Sequence, residues 1–440
     1  MAKSRIYKDL LVYMNGEEVG RLTPPSATGP IMFAYSDIWL KAENKRAISL
    51  AMPLGGQTYR GGVVENFFDN LLPDNETVRK RIQARFGASG NRCFDLLWHI
   101  GRDCVGALQL LPESEVLPEI KKIEAEPLTD SQISDTLQNY KTMPLGMSRD
   151  NEFRISIAGA QDKTALLWHN NQWCRPTGAT PTSHIIKLPI GQTGRMDLSE
   201  SVENEWLCHL ILKAYNLPTA DSAITFFDDT KALVVSRFDR RLSMDGTWII
   251  RLPQEDMCQA LGFPSALKYE QDGGPGIEKI MHFLLGSEKS AADRYNFIKS
   301  QVLFWILAAI DGHAKNFSVF LSPGNRYHLT PIYDVMSAHP LVKLGQIKTA
   351  RLKMAMAVDG KNRHYHWERM FHRHWINTAR RCFFPVNDLR AILDDLLGNM
   401  AAVIDSVKNT IPSDFSAQIA DTIFDGMEFS KEYFAAKMTE

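Results

Sequence analysis

Asp311-Gly-His-Ala-Lys-Asn316 places a carboxylate five residues ahead of an amide, and a second carboxylate, Asp334, follows after two short β-prone runs. Carboxylate and amide oxygens are hard donors suited to Mg2+. Asp, then Asn, then a later Asp is the order in which phosphoryl-transfer enzymes present a catalytic base and two metal-binding residues. Asp311 and Asn316 taken alone are equally consistent with a helix cap and a turn. Ser322-Pro-Gly-Asn325 reads as a turn between the two runs, so the second is predicted to fold back along the first and bring Asp334 beside Asn316.

Such chemistry needs elements that bind phosphate. Ser156-Ile-Ala-Gly-Ala-Gln-Asp-Lys163 is a small-residue loop leading into the β-prone Thr164-Ala-Leu-Leu-Trp168, and small residues let backbone N–H groups approach phosphate oxygens. His184-Ile-Ile-Lys-Leu-Pro189 is an apolar strand interrupted by Lys187, whose ammonium is costly to bury unless an anion meets it. Glu203 and Glu205 open a helix, and one of them is placed to orient Lys187 as a helix glutamate does in protein kinases. Ala232-Leu-Val-Val-Ser-Arg-Phe-Asp239 is a strand running into a polar segment, where a kinase linker would hold adenine through its backbone. Each piece is weak alone; their joint appearance in this order carries the argument. Gly-x-Gly-x-x-Gly, His-Arg-Asp and Asp-Phe-Gly are all missing, so this would be a divergent kinase.

Across 440 residues, two or three domains are expected. Leu10-Leu-Val-Tyr-Met-Asn-Gly-Glu-Glu-Val-Gly-Arg-Leu22 is two β-prone runs around Asn-Gly, a strong hairpin signal. Pro73 to Ile82 puts acids in the first turn and bases in the last turn of a predicted helix. The stretch from Pro112 to Pro127 is acidic and punctuated by proline, the composition of a boundary. Beyond Asn151 a few strands give way to helical patterns, with Ser201–Tyr215 and Ala391–Lys408 carrying apolar residues at helical spacing. The reading is α+β: a strand-rich domain over residues 1–111, a connecting segment over 112–150, and a mainly helical kinase domain over 151–440.

With 50 Lys and Arg against 51 Asp and Glu, the whole chain has no bulk attraction to nucleic acid or anionic membrane. The longest apolar run, Leu303 to Ile310, has eight residues where a membrane-spanning helix needs about 20. The first residues lack the apolar stretch of a signal peptide, so a cytoplasmic protein is expected. Six scattered cysteines without a Cys-x-x-Cys pair signal packed, reduced thiols.

The chain resembles the HipA family of serine/threonine kinase toxins from bacterial toxin–antitoxin pairs along nearly its whole length. Asn66-Phe-Phe-Asp-Asn-Leu-Leu-Pro-Asp74 and Ile100-Gly-Arg-Asp-Cys-Val-Gly-Ala107 are similar to its N-terminal domain, and Arg154 to Lys163 to its phosphate loop. His184 to Pro189, Arg251-Leu-Pro-Gln-Glu-Asp-Met-Cys-Gln259, Asp272-Gly-Gly-Pro-Gly276 and Asp311 to Ser318 complete the series. The resemblance implies an ATP- and Mg2+-dependent kinase whose C-terminal lobe is related to the phosphatidylinositol 3/4-kinase-like fold. It implies Asp311 as catalytic base, Asn316 and Asp334 as metal ligands and Lys187 as the phosphate-binding lysine. It further implies nucleotide contacts from Ala158, Gly159, Ala160, Gln161, Asp162, Lys163, Ser236, Arg237 and Phe238, and from His313, Lys315 and Tyr333 around the base. Ser236 stands in the linker where the family often has Glu. Ser156 matches the family's autophosphorylated serine, and its alternative role is a turn-supporting hydroxyl. The implied substrate is an aminoacyl-tRNA synthetase, glutamyl-tRNA synthetase in the family, whose phosphorylation stops translation and leads to growth arrest and persistence. The implied partners are HipB, a small helix-turn-helix antitoxin, and operator DNA.

Residues 343–381 hold ten Lys and Arg against two acids and four of the twelve histidines. Arg380 and Arg381 lie near positions where the family's kinase reaches DNA, the alternative being a solvated or partner-facing surface. Residues 387–440 hold ten acids against four bases, so the near-zero net charge is a cancellation. Competing functions are a small-molecule phosphotransferase and a catalytically idle corepressor.

Overall fold

In the computed structural model the described residues are 8–26, 29–139, 144–147, 154–159 and 161–437. The chain divides into two compact units, Met1–Leu188 with Phe226–Ala266 and Val319–Arg326, and Pro189–Thr225 with Leu267–Ser318 and Tyr327–Glu440.

The first unit opens with the expected hairpin. Leu10–Met14 pairs antiparallel with Glu17–Thr23, and Asn15 and Gly16 take φ of 46° and 87°, which these two residue types tolerate best. The strands Tyr59–Arg60, Met32–Tyr35, Glu17–Thr23, Leu10–Met14 and Leu108–Pro112 lie in that order in one sheet. Leu10, Val12 and Met14 alternate inward, as the pleat requires, onto a core with Phe67, Phe68, Ile82, Leu96 and Leu97 from three helices. One of these, Glu76–Phe86, starts later than the Pro73 of the sequence reading, because the Asn75 side chain caps it through Thr77 N–H. Five strands of a six-stranded second sheet lie in the order Thr230–Ser236, His184–Lys187, Lys163–His169, Gln172–Pro176 and Ala125–Pro127, with a core shared with Ile133 and Leu137 of the Asp130–Gln138 helix. The proline-punctuated stretch thus ends in an edge strand, a position where proline is tolerated.

The second unit is mainly helical. Its Ser290–Ile306 helix is buried along most of its length, and Trp305 stacks on Trp367 with centroids 5.0 Å apart while each indole N–H donates to the other's carbonyl. The apolar run from Leu303 is therefore a core helix terminus. The helix expected over Ala391–Lys408 is instead two, Val386–Gly398 and Met400–Lys408, because Gly398-Asn399 breaks the pattern and Asn399 serves both ends.

The fold class is thus mixed α and β, with a strand-rich N-terminal region. No helix among the described residues is long and apolar enough to cross a membrane. All six cysteines are free and buried, and burial pushes the thiols of Cys93, Cys104, Cys208 and Cys382 up to about 12.

Candidate active site

In the second unit, the Ser290–Ile306 helix delivers the chain to Asp311. Ala308, at φ 48°, turns it out of the helix. Gly312 must be glycine, since a Cβ there would lie 2.5 Å from the ring of Phe304. Ala314–Asn316 then forms one 3-10 turn, with His313 N–H donating to Asp311 O at 2.8 Å. Asn316 donates its side-chain amide to the carbonyls of Asp311 (3.0 Å) and Asp334 (3.2 Å). The expected approach of Asp334 to Asn316 is therefore found, and Thr330 N–H reaches back to Ser318 O at 2.9 Å to close it. Asp334 takes φ 61°, a left-handed conformation that such side chains adopt where the surroundings hold them. Tyr333 donates to Lys315 O at 2.8 Å and meets Ser318 Oγ at 2.6 Å, fixing the return strand onto the turn. His313, Lys315 and Asn316 are all buried.

The helix Ser201–Ala214 starts where expected, with Glu203 and Glu205 both buried. Between them, Asn204 exchanges two hydrogen bonds with the backbone of Ser337, at 2.7 and 2.8 Å. The helix is thereby locked onto the segment that follows Asp334. Glu205 Oε1 lies 3.9 Å from His209 Nε2, one helical turn on.

In the first unit, residues 155–159 enter the core. Ile155, Ser156 and Ile157 are buried; Ser156 N–H donates to Asp103 O at 3.0 Å and its hydroxyl to Leu71 O at 2.8 Å. Gly159, at φ 108°, bridges to Pro73, and Lys163 Nζ folds back to Ala158 O at 2.6 Å. Gln161 donates to Leu188 O at 2.6 Å, and Asp162 pairs with Arg81 at 3.3 Å. Ala160 lies outside the described residues. Lys163 and Lys187 are directly opposite in the antiparallel register, both buried, so two ammonium groups share one face of the sheet.

The linker carries less free backbone than a sequence suggests. Ser236 still pairs in the sheet opposite His184, while Arg237 N–H goes to Ser183 O at 2.9 Å and Arg237 O accepts Arg240 N–H at 3.1 Å. Phe238 stands edge-on to Phe320 at 5.8 Å. The Arg237 side chain belongs to a buried network that sequence reading missed. Asp103 accepts from Arg240 (2.9 Å), Arg251 (3.2 Å), Arg237 (3.3 Å) and Thr182 (2.8 and 3.0 Å), and Asp239 accepts from Arg237 twice and from Gly106 N–H. Burial alone would raise the Asp103 carboxyl, but the three guanidinium groups and the Thr182 N–H hold it well below the usual range. The available signal was the clustering of Arg and Asp in three separate stretches, Ile100–Ala107, Arg237–Arg240 and Arg251.

Arg380 and Arg381 end the His372–Arg381 helix, both exposed, but they differ. Arg381 pairs with Asp359 at 3.3 Å and Glu278 at 3.6 Å. Neighbouring His374 is held down to about 4 by burial and by His364 and Arg373 beside it. No cluster of three His, Cys, Asp or Glu among the described residues is arranged to hold a metal. The hard-oxygen pair of Asn316 and Asp334 includes an amide and is a separate case.

Two family models match this chain. The HipA N-terminal domain model matches residues 10–111 and the HipA-like C-terminal domain model residues 155–404. Y4mE of Sinorhizobium fredii is 33% identical over 337 residues, covering 74% of this chain and 77% of Y4mE. The serine/threonine-protein kinase toxin HipA of Shewanella oneidensis is 27% identical over 352 residues, covering 78% and 76% of the two chains. The fold is similar to that of Shewanella oneidensis HipA solved with HipB and its operator DNA, at TM-score 0.81 and 21% identity over 97% of each chain.

Proposed function

The chain belongs to the HipA family, with its kinase activity, and on that premise we propose that it is the toxin of a toxin–antitoxin pair, transferring the γ-phosphoryl group of ATP to a serine of an aminoacyl-tRNA synthetase, glutamyl-tRNA synthetase first. The observation that carries this reading is the bond pair from Asn316 to the carbonyls on either side, which gathers Asp311, Asn316 and Asp334 at one place. Asp311 accepts or orients the proton of the attacking hydroxyl. Lys187, with Lys163 opposite it in the sheet, carries the phosphate-binding role. Backbone groups of 158–163 and of the linker 236–238 hold the nucleotide, and His313, Lys315 and Tyr333 support the base and its neighbours.

Asn316 spends its amide nitrogen on two backbone carbonyls, so its Oδ1 remains as a hard donor, and together with the Asp334 carboxylate it would supply donors of the kind Mg2+ takes. When bound, that ion neutralises phosphate charge. Kinship of the C-terminal lobe with the phosphatidylinositol 3/4-kinase-like fold is part of the same proposal.

Ser156 is the proposed autophosphorylation site. It is fully buried with its hydroxyl on Leu71 O, so modification requires the loop to leave this position, and a dianion there would keep it out. As corepressor, the chain would join a HipB-type antitoxin on operator DNA, with Arg380 and Arg381 toward phosphate.

The test is transfer from radiolabelled ATP across a panel of purified aminoacyl-tRNA synthetases. Seryl phosphate on glutamyl-tRNA synthetase is expected. Label on none of the panel, with label on a sugar or aminoglycoside instead, would replace a protein kinase with a small-molecule phosphotransferase.

A further inference from the structure

The Asp272-Gly-Gly-Pro-Gly276 turn has no role in the chemistry assigned above, yet it closes back onto Tyr269, which touches the proposed base. Tyr269 donates its phenolic hydroxyl to Asp311 Oδ1, and its ring stands edge-on to His313 at 5.0 Å. The backbone around Tyr269 is unusually tied down. Tyr269 O accepts N–H groups from Asp272 (3.2 Å) and Gly274 (3.0 Å), Glu270 O accepts Gly273 N–H (3.0 Å), and Lys268 O accepts Ala314 N–H (3.1 Å). Gly273 sits at φ 101°; a Cβ on Gly274 would fall 1.9 Å from Leu267 O, and one on Gly276 2.0 Å from the Glu270 carboxyl. The next residue is anchored as well: the buried Glu270 carboxylate accepts Ala357 N–H at 2.7 Å and pairs with Arg363. Three glycines are thus required by sterics to close a turn whose outcome is one fixed tyrosine.

We infer that Tyr269 is a positioning residue for Asp311. A carboxylate rotates broadly about its terminal torsion, and a charge-assisted O–H···O bond to one oxygen stops that rotation. With Oδ1 held by the phenol, Oδ2 is presented to the serine hydroxyl, and orientation of this kind lowers the barrier without adding a reacting group. The inference rests on the reading of Asp311 as the base.

The experiment compares full-length wild type, Tyr269→Phe and Asp311→Gln in transfer from radiolabelled ATP to a degenerate serine peptide library, with KM for ATP measured for each. Phenylalanine keeps the ring against His313 and removes only the hydroxyl. Tyr269→Phe is expected to lower kcat by about tenfold with KM for ATP unchanged, the signature of a lost transition-state interaction. A wild-type kcat in Tyr269→Phe, or a fall in kcat matched by a rise in KM for ATP, would overturn the positioning role. Wild-type turnover in Asp311→Gln would instead overturn the reading it rests on, so the two failures are told apart.

Discussion

Asn316 donates its amide to the carbonyl of Asp334 at 3.2 Å and to that of Asp311 at 3.0 Å, so one side chain holds together the two acids on which the proposed transfer depends. Replacing it removes both bonds and one oxygen donor. Asn316→Ala is expected to lower stability by about 1–3 kcal/mol and to raise the Mg2+ concentration for half-maximal transfer by about 10–100-fold. Titration of transfer against Mg2+ checks this, and an unchanged requirement would remove Asn316 from the metal site.

Ser156 offers a contrast between two substitutions. Ser156→Ala loses one hydrogen bond to Leu71 O, about 1 kcal/mol. Ser156→Asp puts a carboxylate into a fully buried site that faces a carbonyl oxygen. Calorimetric ATP binding is expected to survive the first change and fail in the second. Equal affinity in both would separate the Ser156 loop from the nucleotide.

Asp103 is the counter-charge for three guanidinium groups. Asp103→Asn leaves them buried and under-compensated, so a loss of about 3–5 kcal/mol is expected at pH 7. Because the folded carboxyl is held below its ordinary value, its contribution is present above the unfolded pKa of about 4 and is lost as pH falls through the folded value. The gap between the urea midpoints of wild type and variant should therefore hold steady above about pH 5, begin to narrow as pH falls below about 4, and keep narrowing as pH is lowered further. A constant gap would contradict the network's charge role.

Much of this was legible because it is local. Asn15-Gly16 makes a hairpin from two residues that tolerate positive φ, and the strand around Lys187 and the helix over Glu203 and Glu205 follow from short-range pattern. The meeting of Asn316 and Asp334 was readable because a turn at Pro323-Gly324-Asn325 dictates it. Asp103 was not readable: its partners Arg237, Arg240 and Arg251 lie 134 to 148 residues away, and no periodicity relates them. Tyr269 was hidden likewise, although the glycines after it announced a tight turn. The break at Gly398-Asn399 was missed because the apolar spacing continues in phase across it.

The two C-terminal arginines of the basic helix should behave differently on DNA. Arg381 is already paired with Asp359 and Glu278, so its charge is partly neutralised before any phosphate arrives. In the antitoxin complex on operator DNA, Arg380→Ala is expected to reduce the salt slope of binding by about 1, and Arg381→Ala by less. Filter binding between low and high salt measures both; no change in slope for either would turn this face away from DNA.

The proposed phosphoryl transfer to serine turns on Asp311. Single-turnover transfer from radiolabelled ATP to a degenerate serine peptide library, by wild type and Asp311→Gln with matched ATP affinity, tests it most directly. Seryl phosphate formed by wild type and reduced by orders of magnitude in Asp311→Gln is the predicted result. Seryl phosphate formed at the same rate by both proteins would contradict it.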